Sequence, residues 1–513
     1  MDSQPSMTQA WYNIVVIGSD LAGLMYAALA ARLGYRVAVV GHGARPNTYR
    51  RGGFTFLRQP ERFLGLSSSP AVARVMSELS LGIEMKNRPQ MIDPTLQLVL
   101  PGIRLDLAGN RRHWERELER ELPGALGAFD AFEGWARAAT DTSDPLLAGE
   151  LPYPPSGLRE RAAYRRVTRE GQGLLDAGGS PALDALSSDP RLEALALGPL
   201  SHLRGVSGGA ECEPGSLLPL ARLWTHLRSG LYRVSGGLDG LKTLFIRKIR
   251  EQSSDYRPDE AVSGLVMRRG KVRAVMLADR REMLGCELVV GNLEARRFLQ
   301  LIPRDQRQDG YHATMNGLEP AGWRLVMNLG VDPRVIPRGM GHEVVAVADP
   351  SEPLLGANCL WISRPPSVQG HAGPSQGALQ VSALLRSRGA APTLSSAERL
   401  VDASLTEVRR LIPWLDDYLQ LIDVPALRTA RDGEAPSLDL EELHPVFVRA
   451  TPGTLGASPF APTTSYRNVL LGGDQGFSGL GFEGVCAAAL RTLALTRRLV
   501  RLKTSLSHER HLG

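Results

Sequence analysis

Residues 13–34 read NIVVIGSDLAGLMYAALAARLG, and this stretch decides the fold. Asn13 to Ile17 is a short β-branched run of the kind that forms a buried parallel strand. Leu21 to Leu33 is alanine-rich and helical, and Gly34 ends it. Arg36 to Val40 returns as a second strand, so the opening is a βαβ unit. Its turn is Gly18-Ser19-Asp20-Leu21-Ala22-Gly23. A helix that starts here points free N–H groups at whatever binds, which suits a pyrophosphate. Gly18 fits the sharp turn, and Gly23 lets the helix lie close on the strand. Two positions depart from a dinucleotide fingerprint. Asp20 stands where a middle glycine is usual, and Gly41 replaces the acid that ends the second strand and holds a ribose. A carboxylate at Asp20 would repel a diphosphate unless it turns outward, takes up a proton, or pairs with an arginine such as Arg45.

Outward from this unit, Gly52-Gly53-Phe54-Thr55-Phe56 reads as a turn into a strand. Residues 111–224 are mostly helical by pattern. Tyr232 to Gly237 is a glycine turn, and Leu238 to Glu251 a helix. Ala261 to Leu277 alternates about Arg269-Gly270-Lys271, a hairpin signal. Leu288 to Val290 is a buried strand. Residues 301–460 alternate strand-like runs (Val326 to Leu329, Leu379 to Leu385) with a helix at Ser396 to Leu411. Last come a strand at Val469 to Leu471, a glycine-rich turn, and a helix from Glu483 to Lys503. Nucleotide-type elements thus fall at the start, middle and end of a 513-residue chain, which predicts an interrupted domain.

Four segments in this order resemble the phytoene desaturase, carotenoid isomerase and amine-oxidase-like flavoproteins. They are the βαβ unit; Tyr232-Arg233-Val234-Ser235-Gly236-Gly237; Glu260-Ala261-Val262 with Leu288-Val289-Val290-Gly291-Asn292; and Val469-Leu470-Leu471-Gly472-Gly473-Asp474 followed by Gly479-Leu480-Gly481-Phe482-Glu483-Gly484-Val485. The resemblance implies an α/β fold: a Rossmann-like FAD-binding domain (11–75, 228–300, 462–505) interrupted by a mixed α+β substrate domain (76–227, 301–461). It also implies a cofactor site at Gly18, Ser19, Asp20, Leu21, Ala22, Gly23, Arg45, Val262, Gly473, Asp474, Gly481, Gly484 and Val485. In that family the backbone at Val262 touches adenine, the acid at Asp474 binds the ribityl chain, and the last helix points at the flavin's N1–C2=O edge. The family's Gly-Gly-Arg loop is shortened here to Gly43-Ala44-Arg45. The chemistry implied is hydride transfer from, or isomerisation of, a long apolar substrate. The alternative is a relative that keeps the fold, has lost the cofactor, and binds lipid or another partner.

Other signals narrow the class. Hydrophobic residues make up 43% and charged ones 22%, which is globular composition. The four cysteines are far apart, giving neither a disulfide framework nor a zinc site, and a cytoplasmic protein is expected. The apolar stretch from Trp11 to Ala31 is broken by Gly18, Asp20 and Gly23, so it is not a membrane span. Arginines 159, 161, 165, 166 and 169, and the basic end of the last helix, read as solvated faces, with peripheral contact to an anionic membrane as the second reading. Neither carries the aromatics expected for nucleic acid. Gly205-Val206-Ser207-Gly208-Gly209 matches a nucleophile elbow but lacks a preceding strand. No catalytic residue and no metal ligand set stands out.

Overall fold

The opening strand proves longer than its β-branched run. It covers Thr8–Ile17 and sits at the centre of a seven-stranded sheet. In this computed structural model, residues 8–501 are described apart from 44, 150–154, 156, 171–180, 204–216, 279–281, 319, 366–376, 387–390, 429–434, 448–456 and 459. Val37–Val40 and then Asp255–Arg257 pair parallel on one side of the opening strand, and Glu282–Gly291 pairs parallel on the other. Val469–Leu471 joins the far end of Glu282–Gly291, also parallel. The hairpin Val262–Arg268/Lys271–Leu277 extends the sheet antiparallel. Its turn places Arg269 at φ 53 and Gly270 at φ 70, the two left-handed residues that match strand twist in a tight hairpin.

Helix Leu21–Arg32 lies on this sheet, buried along nearly its whole length. That follows from its small side chains, which let it pack between the strands and the last helix, Gly481–Leu499. Tyr26 and Thr496 share a buried 2.7 Å hydrogen bond across that contact, so the two ends of the chain enclose one core.

A second sheet of eight strands takes segments from 96–107 and 320–447. Alternation along Pro320–Val331, Gly356–Ser363 and Gly377–Arg386 gives it two unlike faces. Leu325, Met327, Leu329, Leu360, Ile362, Leu379, Val381 and Ala383 join a core with Leu405 and Val408 of helix Leu394–Leu411. The opposite face carries Arg324, Asn328, Trp361, Ser363, Gln380 and Ser382, with Glu343 in register beside Ser363. Strand Phe54–Leu57 closes over it, the Leu57 carbonyl accepting from Asn328 (2.9 Å) and Gln380 (3.0 Å). Helices from 111–229 cover another part of the same face through Leu195, Leu200 and Trp224. Helix Pro190–Leu203 precedes Gly205 to Gly209, where an elbow needs a strand; that motif, the Pro152 loop and Lys503 lie outside the described residues.

Candidate dinucleotide site

The turn from first strand to first helix folds as read, with Gly18 at φ 103 and Asp20 at the helix N-cap. Asn292, the residue after strand Glu282–Gly291, explains both outer glycines. Its side-chain amide donates to the Gly18 and Asp20 carbonyls, each at 3.1 Å. A Cβ on Gly23 would lie 2.0 Å from that amide nitrogen, and one on Gly18 2.2 Å from the Asn292 carbonyl oxygen. Ser19 is buried.

The amides beyond Asp20 are already met. Ala22 N–H donates to Asp474 Oδ1 at 2.7 Å, and the Leu21 amide also hydrogen-bonds this carboxyl group. Asp474 thus caps the first helix from the loop after Val469–Leu471. It stands on the two amides that would meet a diphosphate. Burial, with the Asp20 carboxylate close by, pushes its carboxyl up to about 7. Asp20 keeps an exposed surface, and its carboxyl is raised by the surrounding protein, partly offset by Lys242.

The adenylate end is closed in the same manner. A Cβ on Gly41 would lie 2.1 Å from the Pro258 carbonyl oxygen, so backbone fills the space where a ribose-holding acid would project. His42 N–H donates to the Glu260 carbonyl (2.9 Å), and His42 Nδ1 accepts the Val262 N–H (3.0 Å). Val262 therefore has its amide satisfied within the chain. Arg45 also departs from the place the resemblance implies. Its guanidinium pairs with Glu442 at 2.7 Å and Asp439 at 3.4 Å, because that acidic turn packs over the shortened loop.

At the flavin end the glycines are mixed. Gly484 packs on the Phe477 carbonyl (2.0 Å for a Cβ) and Gly473 on Asn292 (3.1 Å), while Gly481, at φ 56, has only Leu223 at 3.7 Å. Val485 is half-buried against the first core. The first turn of the last helix holds Glu483, which the motif reading did not single out. It is 1% exposed and accepts from Arg222 Nη2 (2.6 Å), Arg222 Nε (2.7 Å) and Ser69 (2.6 Å), with His226 Nε2 at 3.1 Å. Burial alone would raise this carboxyl, but Arg222 and His226 outweigh it and hold it well below its usual range. The helix's positive end is thus partly countered by its own glutamate.

As a test of fit, the flavin end leaves room at Gly481 and a carboxylate at Asp474. The adenylate end, as folded, presents no free amide at Val262 and no acid at Gly41. Among the described residues no cluster of three or more histidines, cysteines or acids could hold a metal, and no helix is long and apolar enough to cross a membrane.

These features define a Rossmann-type dinucleotide domain carrying a second, sheet-based domain. The family of NAD(P)-binding Rossmann-like domains matches residues 16–79. Among solved structures, an oxidoreductase from Methanosarcina mazei is similar over 94% of this chain and 99% of its own, with TM-score 0.59 and 17% identity. A putrescine oxidase with putrescine bound is similar over 95% and 99% (TM-score 0.55, 14% identity). A cyclohexylamine oxidase from Brevibacterium oxydans is similar over 95% and 99% (TM-score 0.54, 14% identity). At these identities the likeness is one of fold. No curated protein sequence matches the chain.

Proposed function

We propose that this chain is an FAD-dependent oxidoreductase with the amine-oxidase-like architecture. The observation that carries the reading is the extent of the likeness: oxidoreductases of this fold align along nearly the whole chain, both domains included. Asp474 at the start of the first helix, and Gly481, where a Cβ would make only ordinary contact with Leu223, support a flavin at that end. Bound FAD would supply two-electron oxidation of the substrate. The chain's own part is to place that substrate on the polar face of the second sheet, under Phe54–Leu57 and the helices of 111–229. A face bearing Arg324, Asn328, Gln380 and Ser382 suits a polar substrate better than the carotenoid-like chain implied by the resemblance.

A second reading has its own observation. With Asp474 on the Leu21 and Ala22 amides and His42 on the Val262 amide, the fold satisfies itself without a dinucleotide. This is the arrangement of a relative that has kept the architecture and lost the cofactor.

Absorbance of the purified full chain, before and after equilibrium dialysis against excess FAD, separates the two. A flavin spectrum that survives dialysis supports the first. An Asp474→Ala variant sharpens the test. Where Asp474 holds the ribityl chain, the variant loses flavin; where Asp474 only plugs the amides, the variant binds FAD better than the parent. A colourless protein that takes up no FAD in either form refutes the oxidoreductase reading.

A further inference from the structure

Two arginines of the described residues, set in or near the core, are neutralised by carboxylates. Arg222 meets Glu483 and Asp144, and Arg228 meets Glu133 at 2.7 Å. Arg62 and Arg324 are not. Arg62 lies with its guanidinium 4.0 Å from the Trp361 ring centroid and donates from Nη2 to Ser382 Oγ at 2.8 Å. Arg324 donates from Nη2 to the His202 carbonyl at 2.6 Å. The Nε of each is buried without a hydrogen-bond partner, and among the described residues neither has a carboxylate within ion-pair reach. Among the described residues the acid acting on Arg62 is Glu343, whose Oε2 accepts from Trp361 Nε1 (2.7 Å) and Ser363 Oγ (2.5 Å).

Two histidines complete the cluster. His202 is 1% exposed; its Nε2–H faces the Cys359 carbonyl at 3.1 Å, which leaves Nδ1 of the neutral ring bare and unmet. His444 pairs directly with Arg324 across adjacent strands, and its Nε2 is buried and unmet. Burial, reinforced by Arg62 and Arg324 at His202 and by Arg324 at His444, holds both rings below the usual histidine range. Arg62 is pushed down to about 9 by burial and by Arg324, yet still carries its charge at neutral pH. Arg233 adds a further positive charge near Glu343. A buried guanidinium with no carboxylate in direct contact is costly, and a pair of them favours an anion between them.

We propose that Arg62 and Arg324, between the polar face of the second sheet and the helix ending at Leu203, form a subsite for an oxyanion group, carboxylate or phosphate, on the protein's ligand. The arginines supply the charge and their free Nε–H donors. His202 Nδ1 accepts a neighbouring ligand hydroxyl, or a proton drawn in with the anion. On the same face a small cavity is lined by Leu57, Glu61, Phe63, Glu343, Ser363 and Gln380. Gln380 and Ser382 are successive inward positions of one strand, so the pocket and the arginines are neighbours. The inference rests on the second sheet and the segments packed on its polar face, and it stands or falls independently of flavin binding.

The test is calorimetric titration of the full chain with sodium benzoate, inorganic phosphate and cyclohexylamine hydrochloride at constant ionic strength. Saturable binding of benzoate identifies a carboxylate on an apolar body; saturable binding of phosphate identifies a general oxyanion site. Either supports the proposal, and cyclohexylamine is expected not to bind. Arg62→Gln and Arg324→Met should each weaken the anion by at least about thirtyfold. Arg497→Gln, which removes an exposed charge, should not. Binding of neither anion, binding that survives both buried variants, or equal loss in the surface control overturns the proposal. Melting without ligand gives an independent check: Arg324→Met removes an unpaired buried charge and should melt no lower than the parent. A clearly lower Tm would make Arg324 a structural residue and also overturn the assignment.

Discussion

Replacing Asp474 by Asn tests the capping of the first helix directly. The carboxyl lies above its unfolded value of 3.8, at about 7, through burial and then Asp20. A group whose folded pKa is raised binds its proton more tightly in the folded state. Its ionised form therefore costs stability as pH rises from about 4 to about 7. Fully buried, that displacement corresponds to ~4 kcal/mol; Asp474 is only half-buried, and screening reduces this to ~2 kcal/mol. In Asp474→Asn the amide oxygen can still accept the Ala22 N–H, and the neutral side chain no longer repels Asp20. The variant should therefore be ~2 kcal/mol more stable than the parent near pH 8, and the gap should shrink to ~1 kcal/mol near pH 5.5. Urea denaturation at both pH values measures it, because the midpoint shift scales with the stability change at constant slope. A gap that is the same at both pH values, or a variant less stable near pH 8, would refute the burial of the Asp474 carboxyl beside Asp20.

Two further outcomes follow from the packing. Arg222→Met leaves Glu483 buried without its main counter-charge and should cost about 3–5 kcal/mol in urea denaturation, whereas Arg222→Met combined with Glu483→Met should cost clearly less. Gly23→Ala drives a methyl into the Asn292 amide and should cost about 1–3 kcal/mol by the same assay, with Asn292→Gly in the Gly23→Ala background recovering part of that loss.

Much of the architecture was legible from local pattern. The βαβ opening, the Val262 to Leu277 hairpin, and the helices at 237, 394 and 481 announce themselves through β-branched runs, left-handed turn residues and amphipathic spacing. The site was legible only as a list of positions. That Gly18 and Gly23 serve Asn292 could not be read from the turn, because Asn292 lies about 270 residues away in sequence. Capping of the first helix by Asp474 and of Val262 by His42 are contacts of the same kind. Asp20 and Gly41 were visible as departures, yet only the packing of Pro258 shows that the ribose corner is filled. Arg62 and Arg324 were missed because, in a sequence with 60 lysines and arginines, nothing local marks an arginine that will be buried unpaired. Arg324 lies outside the Val326 to Leu329 run that the sequence marks, on the longer strand Pro320–Val331, and its lack of an ion-pair partner arises only in three dimensions.

The late arrival of Val469–Leu471 bears on how this protein is made. Its docking edge on Glu282–Gly291 emerges from the ribosome some 180 residues earlier, and at ~5–20 residues per second that leaves an interval of roughly 10–40 s. During that time the nascent sheet has an unpaired rim of Val289, Val290 and Gly291, which can template pairing with a neighbouring chain. Asp474 arrives with the same strand, so the first helix also waits uncapped. Yield in cells should therefore respond to translation speed and to chaperones that shield apolar strand edges.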